Sequence, residues 1–206
     1  FLLKIVRRLF MQFIKRSMGW VVWRAFQFLR VHFFSLVSTN CNINGTPLRH
    51  QPVLLSGTGK IIFSQNVKFG VKQSPSFLNS YAYIEAREKD AIITFGARSW
   101  FNNGFVVIAE ACEISIGEDC LVGNDVTIYD SDFHALSPSD RLANMVSPKQ
   151  SSVNIGDNVF IGSHCIILKG TNIGNGCVVA AGSVVNGSFP ATMLIGGNPA
   201  KVIRAL

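Results

Sequence analysis

The stretch that decides the fold is residues 155–185, IGDNVFIGSHCIILKGTNIGNGCVVAAGSVV, in which branched aliphatic residues recur every six positions. A helix repeats its apolar face about every 3.6 residues and a strand about every 2, so neither produces this spacing. A period of six is typical of short strand segments joined by tight turns, in which each segment points one aliphatic side chain inward. We therefore predict an all-β solenoid, a parallel β-helix. The repeating residues are Ile155, Ile161, Ile167, Ile173, Val179 and Val185.

Two other positions of the repeat hold small residues. The residue after the aliphatic one is often Gly or Ala, which suits turns with positive φ or a close approach between chain segments. The residue four positions after it is compact, as a narrow coil with one large side chain per face requires. These compact residues are Val159, Cys165, Thr171, Cys177 and Ser183.

The pattern extends towards the N-terminus in weaker form. Ile116, Val122 and Ile128 keep the same phase, and Phe95 and Phe101 continue it. Before them, turn-forming residues alternate with short apolar runs, so we interpret residues 39–94 as degenerate first coils of the same solenoid.

The repeat is interrupted once. An inserted loop near 135–152 shifts the phase, and Pro138 and Pro148 oppose regular ladder pairing within it. Long loops in compact domains are usually functional or disordered.

Charge is distributed unevenly along the 206 residues. The net charge is +7, and residues 1–37 contain seven Lys and Arg residues with no acid, because the first acidic residue is Glu85. We expect residues 1–38 to form a basic amphipathic helical segment, broken near Gly19 into two helices, and residues 39–206 to form the β-helix. The five cysteines lack metal-site spacing and occupy mostly core positions, which favours a reducing, cytoplasmic compartment.

Four interpretations of residues 1–37 compete. A signal peptide needs basic residues first, a clean apolar run and a small-residue cleavage site, but here the charges are interspersed. A membrane-spanning helix would place Arg24 and Arg30 near its middle, at roughly 2.5–3.5 kcal/mol each. A peripheral helix on the inner face of the cytoplasmic membrane suits the mixture of aromatic and basic residues better. Alternatively, the helices cap the coil or pack on a neighbouring subunit. Nucleic acid is not expected as a partner, because the basic face is short and apolar residues surround it.

A candidate catalytic residue stands where the coil stops and the inserted loop begins. His134 closes the run Tyr129-Asp-Ser-Asp-Phe-His134, and an imidazole with a pKa near about 6.5 suits general-base work. Asp132 could orient or charge-stabilise that imidazole. The alternative is that the Asp residues form a turn and His134 is a surface side chain.

Three stretches in this order resemble the hexapeptide-repeat acyltransferases. They are Asp130-Ser-Asp-Phe-His134, Ile155-Gly-Asp-Asn-Val-Phe-Ile-Gly-Ser163 and Gly197-Asn-Pro-Ala-Lys-Val-Ile-Arg204. The likeness covers about Ile92 to Leu206 and is greatest to the branch of maltose, galactoside and polysaccharide O-acetyltransferases. It implies a left-handed β-helix, a homotrimer with active sites shared between chains, and direct acetyl transfer from acetyl-CoA.

The resemblance also implies residue roles. His134 would act as the general base with Asp132 beside it, Phe160 would pack near the catalytic ring, and Asn102 or Asn103 would contact the acceptor. The resemblance implies a cofactor groove as well, lined by Ser163, Ala181, Gly182, Lys201 and Arg204. The family often has Lys where this chain has Gly187, which suggests either weaker contacts to the CoA phosphates or a different source of charge for them.

The implied function is acetyl-CoA-dependent O-acetylation of a sugar hydroxyl in capsular, O-antigen or exopolysaccharide synthesis. The alternatives are N-acetylation of a sugar nucleotide or xenobiotic, and a non-catalytic β-helix scaffold docked at the membrane. No metal is expected, since the four histidines are scattered and do not provide a compatible ligand set.

Overall fold

The computed structural model describes residues 2–143 and 149–206, and its strands form three parallel sheets around one apolar axis. Consecutive strands visit sheets 1, 2 and 3 in turn, so every third strand returns to the same sheet. Sheet 1 contains Ile43–Asn44 (β1), Lys60–Phe63 (β4), Ile92–Phe95 (β7), Glu113–Ile116 (β10), Val153–Ile155 (β13), Asn172–Ile173 (β16) and Ser188–Phe189 (β19).

Sheets 2 and 3 complete the prism. Sheet 2 contains Leu48–Arg49 (β2), Lys68–Phe69 (β5), Trp100–Phe101 (β8), Leu121–Val122 (β11), Phe160–Ile161 (β14), Val178–Val179 (β17), Met193–Gly197 (β20) and the antiparallel Ala200–Ala205 (β21). Sheet 3 contains Val53–Gly57 (β3), Ala82–Ala86 (β6), Val106–Ala109 (β9), Thr127–Tyr129 (β12), Ile166–Ile167 (β15) and Val184–Val185 (β18). The predicted parallel β-helix is confirmed, while its left hand stays a prediction.

The six-residue period sets the register between turns. Ile155 pairs with Ile173, and Ile161 pairs with Val179, so equivalent repeat positions stack directly. All six aliphatic residues and all five compact residues predicted to face inward are at most 1% exposed. Burial of this continuous apolar column is the main stabilising contribution to a solenoid, because each turn can bury its apolar face only against its neighbours.

The first coils use larger side chains for the same purpose. Phe63 stacks on Phe95 with ring centroids 5.0 Å apart, and Phe69 stacks on Phe101 at the same distance. Residues 39–94 therefore form early turns of the coil, as predicted. Their repeat is hard to recognise in the sequence because the inward residues Leu55, Phe63, Phe69 and Ile84 are unevenly spaced, and two of them are phenylalanine.

The glycines after the aliphatic residues serve close approach between turns. A Cβ on Gly162 would lie 2.5 Å from the backbone nitrogen of Ala181 in the next turn. Positive φ instead falls three residues after the aliphatic one, at Asn158, His164, Gly170, Gly176 and Gly182. Of the two reasons for glycine offered by the sequence, close approach is the one that applies at Gly162.

The N-terminal segment is one continuous helix, α1, over Leu2–Leu36. The predicted break at Gly19 is wrong. A single glycine costs a helix only about 1 kcal/mol relative to alanine, and the residues on both sides are helix-compatible. The apolar and basic faces predicted for residues 1–16 mostly involve side chains outside the described part of the chain.

One face of α1 packs on the first coils. Trp23 stacks on Phe77 with ring centroids 5.8 Å apart, and Arg30 Nη2 donates to the Ser80 carbonyl at 2.6 Å. Gln27 is buried and donates through Nε2 to a coil carbonyl at 2.8 Å. The packing interpretation is thus confirmed for this face of the helix.

The face of α1 beside the packed one is apolar and exposed. Val22, Phe26, Leu29 and Phe33 follow helical spacing and are 48–66% exposed. No described helix is both long enough and apolar enough to cross a bilayer.

The inserted loop leaves the coil after β12 and rejoins it at β13. It contains a short helix, α2, over Pro138–Ala143, and an antiparallel bridge between Ser131 and Gln150 closes its base. Pro138 begins the helix, where its missing N–H has no intrahelical acceptor to lose. Pro148 lies outside the described residues.

Candidate active site

The sheet 3 to sheet 1 corner beside the loop, here called the His134 edge, comprises residues 87–91, 110–112, 130–134 and 168–171. Asp130 anchors it. Its carboxylate is fully buried and accepts the backbone N–H of Glu110 at 2.7 Å and of Cys112 at 2.8 Å. These bonds tie the strand carrying the loop to the turn below, so the loop leaves from a fixed point.

The residue before the histidine has left-handed backbone geometry. Phe133 has φ of 60°, and its N–H donates to Ser131 Oγ at 3.0 Å. Its ring meets Tyr129 edge-on at 5.2 Å and lies 5.2 Å from the Arg87 guanidinium carbon. The ring is therefore held between two neighbours, and His134 follows it with an exposed side chain.

Arg87 belongs to a charged cluster under the loop. Its guanidinium donates to Glu85 at 3.0 Å and to Glu110 at 2.5 Å. The side-chain bond to Glu85 raises the pKa of Arg87 above its ordinary value, so the group stays charged. Because both carboxylates restrain it, Arg87 presents a fixed cation to the Phe133 ring.

Asp132 is paired with a lysine. Lys169 Nζ bonds to Asp132 Oδ1, and both side chains are about a quarter exposed, at 25% and 22%. Lys169 stands at the same edge one turn later, so the pair joins the loop to the coil. The proposed role of Asp132 towards His134 stays a prediction.

The sheet 2 to sheet 3 corner, here called the Ser163 edge, comprises residues 102–105, 123–126, 162–165 and 180–183. Its surface is open, and its last turn, residues 180–183, is made of small residues. Ala181 and Gly182 are exposed, and a Cβ added to Gly182 would meet nothing within 4 Å. Gly182 N–H bonds to the Ser163 carbonyl at 2.9 Å, which stacks these two predicted cofactor residues in adjacent turns.

An apolar cleft of about 160 Å³ lies on sheet 2 next to this edge. Phe160, Trp100 and Leu121 form its floor and walls, and Asn102 lines it from the edge. Phe160 is 48% exposed and Leu121 is 52% exposed, so the cleft faces outward from the chain. Two of the predicted acceptor-binding residues, Phe160 and Asn102, therefore meet in one place.

The two candidate asparagines differ sharply. Asn103 is fully buried; it accepts the Val71 N–H at 3.0 Å and donates to the carbonyls of Val71 at 2.9 Å and Pro75 at 2.8 Å. All of its amide groups are thus used to hold the 71–75 loop. Asn102 is partly exposed and donates to Ser74 Oγ at 2.8 Å, so of the two only Asn102 lines the cleft.

The predicted phosphate ligands lie in the C-terminal hairpin. Lys201 pairs with Gly196, and Arg204 pairs with Leu194, which places both cations on the strand that closes sheet 2. Both side chains are exposed, and Arg204 Nη1 donates to the Ala205 carbonyl at 3.0 Å. They stand at the end of the coil beyond Ala181 and Gly182.

One chain does not bring all the predicted residues together. Asn102, Ser163, Ala181 and Gly182 share one edge of the prism, with Phe160 on the adjoining sheet, whereas His134 lies on a different edge. A site that uses both edges requires the His134 edge of one chain to face the Ser163 edge of another.

Several residues near His134 were missed by the sequence reasoning. Arg87, Glu110 and Lys169 contact the loop that carries the histidine, but each lies in a different turn of the coil. No short motif links them, and only the pairing register between turns shows that they are neighbours.

The cysteines and histidines are not clustered with other metal-binding side chains in the described part of the chain. Among the described residues no three His, Cys, Asp or Glu side chains are grouped to hold an ion. All five cysteines are free, and Cys120, Cys165 and Cys177 are buried as small apolar residues, as predicted.

Comparison with known proteins agrees with this architecture. Residues 113–129 and 152–186 match the family model described as the hexapeptide repeat of succinyl-transferase. The chain is 39% identical over 108 residues to WbbJ of Escherichia coli strain K12, a candidate lipopolysaccharide biosynthesis O-acetyl transferase, covering 50% of this chain and 55% of WbbJ. The chain spans about half the length of the curated relatives it matches.

Two solved structures show the shared fold. The polysialic acid O-acetyltransferase OatWY superposes with a TM-score of 0.55 at 22% identity, covering 82% of this chain and 87% of OatWY. A galactoside acetyltransferase in complex with coenzyme A superposes with a TM-score of 0.50 at 24% identity, covering 70% of this chain and 64% of the other.

Three parallel sheets built from six-residue repeats, with one loop inserted beside an exposed histidine, define a β-helix of the hexapeptide class. The family model and the curated relatives agree with this fold class. Over residues 113–129 and 152–186 the chain carries the hexapeptide repeat, and it is similar to acetyltransferases that contain it.

Proposed function

We propose that the protein transfers an acetyl group from acetyl-CoA to a sugar hydroxyl, in the synthesis of a capsular, O-antigen or exopolysaccharide glycan. The observation that carries the proposal is the placement of His134. It is an exposed imidazole on a restrained loop, where the inserted segment leaves the hexapeptide coil. The relative WbbJ, named for lipopolysaccharide O-acetylation, supports the choice of a glycan acceptor.

In this proposal His134 is the general base. A neutral ring nitrogen accepts the proton of the acceptor hydroxyl while the hydroxyl oxygen bonds to the thioester carbonyl carbon. The carbon–sulfur bond breaks, and CoA leaves as the thiol once it has taken up a proton. A positioned base of this kind contributes about 10²–10⁴-fold to the rate.

The donor would lie along the Ser163 edge. Ala181 and Gly182 leave room for the pantetheine arm, because both residues are small and exposed. Lys201 and Arg204 supply positive charge beyond the coil for the CoA phosphates. Asn102 and Phe160 would contact the acceptor from the adjoining cleft.

The assignment calls for an oligomer, because the base and the donor groove occupy different edges of one chain, and the oligomer proposed is a homotrimer. Cyclic assembly of three identical prisms places one edge of each chain against another edge of the next. Each of the three active sites then uses His134 from one chain and the Ser163 edge of its neighbour.

We further propose that α1 attaches the enzyme to the cytoplasmic face of a membrane. Its exposed stripe contains Val22, Phe26, Leu29 and Phe33, and the segment carries all of the excess positive charge. Replacing Val22 and Leu29 by Ser should reduce co-sedimentation with anionic liposomes. Leu142→Ser, at a leucine 90% exposed on α2, is the control, and equal pelleting of all variants would remove this part of the proposal.

The experiment that tests the function is acetyl transfer from radiolabelled acetyl-CoA to a panel of envelope glycans, with His134→Ala alongside. Mild alkali releases label from an O-acetyl ester and leaves an N-acetyl product intact, so it distinguishes hydroxyl from amine acceptors. Undiminished turnover in His134→Ala would reject the assigned base. Absence of CoA binding by calorimetry would instead favour the scaffold alternative.

A further inference from the structure

A cavity of about 380 Å³ lies between α1 and the first coil, away from the Ser163 and His134 edges. Trp23 and Phe28 line it on the helix side, and Arg49 and His50 line it on the coil side. The cavity depends on the docking of α1, because Gln27 Nε2 bonds to the His50 carbonyl at 2.8 Å and fixes the two walls together.

The cavity contains cations and no acid. Arg24 and Arg49 line it together with two histidines, His32 and His50, and no acidic residue lines it. Within residues 2–143 and 149–206, no carboxylate forms a salt bridge with Arg24 or Arg49. This part of the chain therefore supplies no counter-charge for the two arginines.

Arg49 is the residue that points most directly to an absent anion. Its Nη1 donates to Ser35 Oγ at 2.7 Å, but its Nε is buried without a hydrogen-bond partner. Burial lowers the pKa of Arg49, which means that the charged form has lost hydration without gaining a counter-charge. A cation that has lost hydration without gaining a counter-charge is costly, and an anion bound in the cavity would supply that counter-charge.

The side chains that line the cavity indicate which class of anion it would bind. A guanidinium fork bonds to two oxygens of a phosphate at once, and further cations favour a doubly charged group. Trp23 and the 62% exposed Phe28 add an aromatic surface at the same cavity, suited to an apolar or sugar-bearing carrier.

We propose that this cavity binds the phosphate group of an organophosphate, with Arg49 and Arg24 as its ligands. The site is independent of the proposed acetyl transfer, so either proposal can fail alone. The phosphate could belong to a soluble compound or to the headgroup of a lipid, since both present the same oxygens.

Calorimetric titration of the full chain distinguishes these sources. Inorganic pyrophosphate is the soluble probe, and dihexanoyl phosphatidic acid below its micellar concentration is the lipid probe. Saturable binding of either supports the proposal, and the tighter of the two identifies the source. Failure of both to bind overturns it.

Variants test the assigned ligands. Arg49→Gln keeps a donor for Ser35 but removes the charge, and Arg24→Gln removes an exposed cation that contacts only Trp20 among the described aromatic rings, at 4.8 Å. Each should weaken binding about tenfold, the loss expected of one charge-assisted hydrogen bond. Lys60→Gln, an exposed lysine on the coil, is the matched control.

Arg24→Gln keeps the test informative if Arg49→Gln loses stability. Thermal unfolding of all three variants separates a folding defect from a binding defect. Wild-type affinity in Arg24→Gln and in folded Arg49→Gln, or an equal loss in Lys60→Gln, would overturn the assignment.

Discussion

The guanidinium carbon of Arg87 lies 5.2 Å from the centre of the Phe133 ring, one residue before His134. The contact matters because Phe133 has a positive φ, a conformation that a bulky residue adopts only when its surroundings hold it. Tyr129 packs on the same ring from the coil, so the two contacts together fix the backbone that carries the imidazole.

Arg87→Met should therefore lower kcat for acetyl transfer by roughly tenfold, because a loosened loop misplaces the base relative to the acceptor. Steady-state kinetics with wild type and variant provide the measurement, and the KM for acetyl-CoA should stay unchanged. Arg98→Met, which removes an arginine paired with Glu118 and Asp119 on another edge, is the matched control. Equal losses in both variants would argue against a role specific to the loop.

Asn103→Ala should lower the free energy of unfolding by about 2 kcal/mol, because it leaves the Val71 N–H and two carbonyls of the 71–75 loop without their buried partner. Asn102→Ala is the natural control, since the same side chain is removed at the neighbouring position. That variant should keep most of the stability and change the KM for the acceptor. Urea unfolding and acceptor titration separate the two effects, and a stable Asn103→Ala would refute the anchoring role.

The buried thiols should make the fold sensitive to alkali. Burial raises the pKa of Cys165 and of Cys120, while an unfolded thiol ionises near about pH 8.5. The folded state thus retains protons that the unfolded state releases, so stability falls as pH rises past that value. Between about pH 7.5 and pH 9.5 each such thiol should therefore lower the free energy of unfolding.

Cys165→Ala tests this pH dependence. Urea unfolding at the two pH values should show a smaller alkaline loss in Cys165→Ala than in wild type, whatever the change in stability at neutral pH. Cys41→Ala, at an exposed thiol, should keep the full wild-type loss. An identical loss of unfolding free energy between the two pH values in all three proteins would show that the thiols do not contribute to the alkaline sensitivity.

The sequence was most informative where the physical constraint is local and periodic. Inward positions such as Ile161 and Cys165 could be predicted because each turn must bury its apolar residue against the next, and the period reports that directly. The inserted loop was visible for the same reason, as a break in phase. The continuity of α1 through Gly19 could not be predicted in this way, because the small free-energy cost of one glycine in a helix is outweighed by the surrounding residues.

The partners of the site residues could not be predicted in this way. Lys169 reaches Asp132 across a separation of 37 residues, and Arg87 reaches Phe133 from an earlier turn. Such pairs depend on how the turns register and on side-chain direction. The choice between Asn102 and Asn103 likewise depended on which amide the 71–75 loop uses, a contact that no local pattern encodes.

The most direct test of the central claim mixes two inactive variants. His134→Ala lacks the base, and Ala181→Trp fills the exposed groove on the other edge. If each site joins His134 of one chain to the Ser163 edge of the next, a trimer assembled from equal amounts of both variants should regain about one quarter of the wild-type rate, because half of the chains on each side of every interface are intact. Acetyl transfer no faster in the mixture than in the separate variants would contradict the shared site.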